Sequence, residues 1–189
     1  MRKIIYGINI SIDGCCDHTK FGGGEDTHIY FTDLMRDVDL IIYGRKTYEL
    51  MVPYWPDVAR NNVGTEIELE FAKTFDAIDK VVCSKLLKNA AGNTKIISEN
   101  LDEEVLKLKQ QPGKNISLGG VSLPAALIAL GLVDEFYFLV HPIIVGQGRR
   151  LFDGANLTTA LNLKLADSKT LQSGCIALHY INCDSNFIK

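Results

Sequence analysis

"KNISLGGVSLPAALIALGLVDEFYFLV", residues 114–140, reads as a strand, a glycine corner, a helix and a second strand. "NISL" is short and β-prone, Leu123 to Leu130 form an alanine- and leucine-rich helical run, and "VDEFYFLVHPIIVG" is an apolar strand interrupted at His141-Pro142. Two strands joined through a helix pair in parallel, because the crossover returns the chain to the end where it began. Gly119-Gly120 sits where the first strand gives way to the helix. A glycine there makes a tight corner, and it also lets an anion approach the free N–H groups at the helix start. By itself the pair does not choose between these two roles.

The same alternation extends outward in both directions. Lys3 to Ile12 is a strand whose polar positions Asn9, Ser11 and Asp13 alternate, followed by a loop rich in glycine and aspartate. Residues 25–36 have helical spacing, and "VDLIIYG" (38–44) is a short buried strand closed by glycine. "RKTYELM" begins a helix that "PYWP" (53–56) is expected to break, since each proline removes a backbone donor. Thr65 with Glu68 three residues on is the pattern of a capping box opening another helix. "DKVVCS" and "TKIIS" are two more strands, and Leu101, Val105 and Leu108 share one face of a helix that stops at Pro112-Gly113. The last strands alternate with period two and turn at residues 172–174, which predicts an antiparallel hairpin. The expected fold is a single α/β domain over residues 1–189, a mainly parallel mixed sheet covered by helices on both faces in three α/β/α layers.

Composition narrows the function. The formal net charge is −3 with both signs interspersed, so there is no basic stripe to neutralise nucleic acid. There is no apolar run long enough to span a bilayer, and Asn9, Ser11 and Asp13 interrupt the one segment that imitates an export signal; a cytoplasmic location is expected. The five cysteines are odd in number and include no CxxC pair, which argues for reduced thiols and against a metal site.

Two further corners repeat the pattern of Gly119-Gly120. "LIIYGRKTYE" (40–49) ends a strand in Gly44 where a helix begins with Arg45, Lys46 and Thr47, and "VVCSKL" (81–86) ends one with Ser84 and Lys85. In a parallel sheet all three lie at the carboxyl edge, where ligands bind. Three such loops suit a dinucleotide carrying an extra phosphate.

"NISIDG" (9–14), "YGRKTYE" followed by "YWP", "VVCSKL", the segment 116–152 and the terminal hairpin together resemble the dihydrofolate reductase superfamily, above all the reductase domain of bifunctional riboflavin biosynthesis proteins and its stand-alone relatives. The resemblance implies the dihydrofolate reductase-like fold, a homodimer and an NADPH site. In that site Gly44, Arg45, Lys46 and Thr47 meet the cofactor phosphates, and Ser84 and Lys85 hold the 2′-phosphate. Gly119, Gly120, Val121, Ser122 and Leu123 lie against the diphosphate, with Gly119-Gly120 joined by a cis or otherwise unusual peptide. Asn9, Ser11 and Asp13 correspond to the region bordering nicotinamide and substrate.

Dihydrofolate reductases carry a carboxylate on the first helix, and the matching position here is His28. Asp13 and His28 are the candidate proton carriers, and Trp55 is a candidate pocket wall. The resemblance therefore implies an NADPH-dependent reductase of a pyrimidine-like heterocycle, with 5-amino-6-(5-phosphoribosylamino)uracil as the leading substrate. Dihydrofolate reduction and a non-catalytic NADP(H)-binding module are the alternatives.

Overall fold

The structure, a computed structural model, describes residues 1–21, 24–153, 157 and 160–184. Eight strands form one sheet: β1 (Ile4–Ser11), β2 (Val38–Gly44), β3 (Asp79–Cys83), β4 (Thr94–Ile97), β5 (Asn115–Gly119), β6 (Glu135–His141), β7 (Leu163–Thr170) and β8 (Ile176–Asn182). Their spatial order is β4-β3-β2-β5-β1-β6-β8-β7. The first six run parallel, while β8 pairs antiparallel with both β6 and β7. The helices are α1 (Glu25–Met35), α2 (Arg45–Asn61), α3 (Glu66–Ala77), α4 (Leu101–Gln110) and α5 (Ser122–Ala129).

Period-two alternation sorts the strand side chains into two cores. Ile4, Tyr6, Leu40, Ile42, Ile116 and Leu118 face α4 and α5, packing with Val105, Leu127 and Ile128. Their neighbours Ile5, Ile41, Tyr43 and Val82 face α1, α2 and α3, packing with Met35, Tyr48, Val52, Phe71 and Phe75. The sheet is thus covered on both sides, as expected for apolar parallel strands.

Pro53 and Pro56 do not break α2, which runs through both to Asn61. This corrects the expectation of a stop at 53–56. Buried Tyr48 and Val52, with Trp55, pack against Phe71 and Phe75, and this apolar face outweighs the two missing donors. Glu49, whose carbonyl loses its partner to Pro53, is exposed to water. The capping box of α3 forms as read, with Thr65 accepting from the Glu68 N–H and Glu68 from the Thr65 N–H.

Two lysines are almost fully buried. Lys80 Nζ donates to the carbonyls of Phe75 and Ile78 at 2.8 and 2.7 Å, tying down the end of α3. Lys109 on α4 reaches the sheet edge opposite the glycine corners, where its Nζ lies 2.5 Å from Asp134 Oδ2. The same carboxylate oxygen accepts the Ile4 N–H at 2.7 Å.

Candidate active site

The predicted corners lie at one edge of the sheet, with Gly44 and Gly119-Gly120 close together and Ser84-Lys85 at a separate hollow. Tyr43 and Gly119 are register partners on β2 and β5, and Gly44 pairs with Cys83 at the end of β3. A Cβ on Gly119 would strike the Tyr43 ring, and one on Gly120 would strike Thr47 Oγ1. Gly120 has φ +87°, a left-handed conformation, and its carbonyl accepts the Tyr6 hydroxyl at 2.8 Å. None of the described peptide bonds is cis, which corrects the expectation of a cis or otherwise unusual Gly119-Gly120 peptide: the chain turns from β5 into α5 through a trans peptide and the left-handed φ of Gly120.

Helix chemistry marks the same place. Among the described helices, α1 and α4 carry acids in their first turn and α3 has its capping box. Only α2 and α5 of these start with neither an acid nor a side-chain cap. Their first N–H groups lack intrahelical acceptors and carry the positive end of the helix dipole. Lys46 and Thr47 project from the first turn of α2, and Arg149 donates to Ser122 Oγ at 2.7 Å beside the start of α5. This arrangement can hold a phosphate or diphosphate. Arg149 is not among the residues that the sequence singles out. It lies 27 positions from Ser122, and the only signal for it is its place in the "GQGRR" segment.

Beside this cradle is a cavity of about 680 Å³, within the usual range for small-molecule sites. Gly7 and Asn9 of β1 line it; Phe31, Trp55 and Phe71 are among its apolar walls; Lys46, Thr47, Gly119, Gly120, Val121 and Arg149 line it beside the starts of α2 and α5. His28 sits among rings, 5.5 Å from Trp55 and 5.4 Å from Phe71, both edge-on. Burial pushes its pKa below the ordinary 6.5, opposed by the nearby Glu68 carboxylate. His141 lines the cavity too and is held below 6.5 by burial.

Both histidines make stability depend on pH. The unfolded chain takes up these protons near pH 6.5 and the native chain only lower, so their contribution is complete above about 6.5 and lost as pH falls through it. Thermal melts should show a falling midpoint from pH 7.5 toward 5.5, with part of the slope gone in His28→Phe and in His141→Gln. A midpoint that rises on acidification through this window would contradict the burial of both rings.

The remaining expected residues lie elsewhere. Ser11 is buried, its Oγ bonded to Asp13 Oδ1 at 2.6 Å and to the Cys15 N–H at 2.9 Å. Asp13 accepts from the N–H groups of Val145 and Gly146 at 3.1 and 2.9 Å, and the Ser11 and backbone bonds hold its pKa far below the usual carboxylate range. Its carboxylate clamps the loop after β6 and does not line the cavity. Arg45 pairs with Glu49, one guanidinium nitrogen donating to both carboxylate oxygens at 3.0 and 2.8 Å. Leu123 packs into the α4–α5 core. Ser84 and Lys85 line a second hollow, between the ends of β3 and β4 and the start of α4, together with Glu99 and Asp102. Ser84 Oγ there accepts the N–H groups of Leu86 and Leu87 at 3.1 and 3.0 Å. No described cluster of His, Cys, Asp and Glu could hold a metal, and no described helix is long and apolar enough to cross a membrane.

The chain is 35% identical over 186 residues to the uncharacterized protein YyaP of Bacillus subtilis (strain 168), covering 95% of this chain and 94% of that protein. Its fold matches the structure of a putative riboflavin biosynthesis protein from Shewanella sp. PV-4 with a TM-score of 0.72 at 18% identity, over 95% and 98% of the two chains. It also matches the dihydrofolate reductase of Enterococcus faecalis, solved with NADP(H), with a TM-score of 0.59 at 13% identity over 96% and 97%. The mixed sheet with its closing hairpin is therefore the dihydrofolate reductase-like fold. With its residues 2–177 matched by the family model of the RibD C-terminal domain, the chain belongs to that family.

Proposed function

We propose that this protein is an NADPH-dependent reductase that transfers hydride to a pyrimidine-like heterocycle, with 5-amino-6-(5-phosphoribosylamino)uracil as the leading substrate. The observation that carries this reading is the meeting of two uncapped, acid-free helix N-termini at Gly119-Gly120, beside an aromatic cavity. The first part suits a dinucleotide diphosphate and the second suits two stacked heterocycles.

The residues present fit a nicotinamide dinucleotide. Lys46, Thr47, Arg149 and the backbone of Gly119 to Ser122 would hold its diphosphate, and Ser84 with Lys85 its 2′-phosphate. When bound, the cofactor supplies the hydride. The chain itself aligns the two rings and excludes water with Phe31, Trp55 and Phe71. His28 is the proton carrier in this reading, because its side chain makes no hydrogen bond to another described residue and faces the cavity.

Folate is disfavoured as substrate. Among the described lining residues Asp17 is the only carboxylate, and it is engaged by the Thr19 N–H and hydroxyl at 3.0 and 2.7 Å. A homodimer, as the resemblance implies, is part of the proposal.

Thermal-shift titration with NADPH, NADH and FMN, followed by NADPH oxidation with the aminouracil, tests it. NADPH at 100 times its dissociation constant should stabilise the fold by about 2.7 kcal/mol. Absence of any shift with NADPH would remove the cofactor assignment. Binding without oxidation of NADPH would leave the binding module.

A further inference from the structure

Asn9 and His141 meet at the cavity wall, from β1 and from the last residue of β6. His141 Nε2 lies 3.1 Å from Asn9 Oδ1, and His141 Nδ1 lies 3.4 Å from the thiol of Cys175, which is itself buried. The Phe21 ring packs on the imidazole with centroids 4.9 Å apart.

The donor inventory gives this chain a direction. A carbonyl oxygen only accepts, so Nε2 must carry the proton, and in a neutral ring Nδ1 is then the acceptor for the Cys175 S–H. Burial, which disfavours the charged imidazole, keeps the ring in the neutral form this pattern needs. With Oδ1 committed to His141, the Asn9 amide nitrogen is oriented away from the ring. It donates to no described residue, it is not among the buried polar atoms left without a partner, and Asn9 is one of the residues lining the cavity.

We propose that Asn9 presents its amide N–H groups as a fixed donor to a carbonyl oxygen of the bound heterocycle, and that His141, anchored by Cys175, is the positioning residue that fixes it. The inference rests on the reading of the cavity as a reductase site. The carbonyl belongs either to a pyrimidine ring or to the nicotinamide carboxamide, which share this acceptor chemistry. An amidine edge, which offers N–H groups, would face donor against donor and be rejected.

The test has two independent arms. Long-range ¹H–¹⁵N correlation on histidine-labelled protein, with the His141 signals assigned by their loss in His141→Gln, should show the Nε2–H tautomer. Asn9→Ala, which removes the accepting carbonyl, should admit the other tautomer. A Nδ1–H tautomer in the wild-type protein overturns the relay, whatever the ligand.

In the second arm, Asn9→Asp keeps an acceptor for His141 but removes the donor. Either the Kd for NADPH or the KM for the aminouracil substrate should rise at least about tenfold, and which constant moves identifies the carbonyl. His141→Leu should give a smaller loss in the same constant and no further loss on an Asn9→Ala background, a coupling that a purely structural histidine would not produce. A folded Asn9→Asp protein with both constants unchanged overturns the donor role. A wild-type protein that neither binds NADPH nor reduces the aminouracil overturns the reading of the cavity, while the tautomer arm still decides the relay.

Discussion

Asp134→Ala is expected to destabilise the fold by about 3–5 kcal/mol, read as a lower urea midpoint at unchanged slope. Asp134 and Lys109 are 8% and 2% exposed at their side chains, so the substitution takes the carboxylate from an ammonium deep in the protein. It also takes the acceptor from the buried Ile4 N–H at the start of the central strand. The Leu132 carbonyl, 3.1 Å from Lys109 Nζ, is a neutral acceptor and does not replace the lost charge.

Lys109→Met combined with Asp134→Asn should recover much of the loss. It removes the charge and leaves an amide oxygen for Ile4. A cost for Asp134→Ala below about 1 kcal/mol, the size of an ordinary exposed pair, would show that water reaches the site.

Gly120→Ala should abolish most NADPH binding, with the Kd raised at least about tenfold, equivalent to about 1.4 kcal/mol. Two costs act together. The left-handed φ of +87° is unfavourable for an L side chain by about 1–2 kcal/mol, and the new Cβ strikes Thr47 Oγ1, with Thr47 Cβ only 3.3 Å away. Relief requires Thr47 or the turn to move, and both belong to the proposed phosphate cradle.

Gly146→Ala separates the two effects. It has a similar φ of +77° but open space around the added methyl, so it should cost stability and leave NADPH affinity as it was. If both alanine variants bind NADPH like the wild type, the turn at Gly120 is not in the cofactor site.

What can be read along the chain follows from range. The strand–corner–helix units, the Thr65–Glu68 capping box and the closing hairpin are written in patterns of two to five residues. A single sequence displays such patterns directly. The glycine corners are visible for the same reason. Their assembly at one sheet edge follows from parallel pairing, in which every strand presents the same end.

Features that depend on distant partners are not legible in this way. Pro53 and Pro56 look like helix breakers, and only the packing of α2 on Phe71 and Phe75 keeps the helix whole. Asp13 looks like a candidate acid until the loop at Val145 and Gly146 is seen to occupy its carboxylate. His141 reads in sequence as part of a strand interruption, because nothing near it names Asn9, 132 positions away, as its partner.

The sequence by itself therefore determined the layered fold, its order of elements and the corners at which an anion can approach. Local propensity and periodicity suffice for these. The tertiary structure alone decided which polar groups are spent on the protein and which are left for a ligand. That division rests on hydrogen bonds between residues as far as 147 positions apart, made only once the sheet brings their strands and loops together.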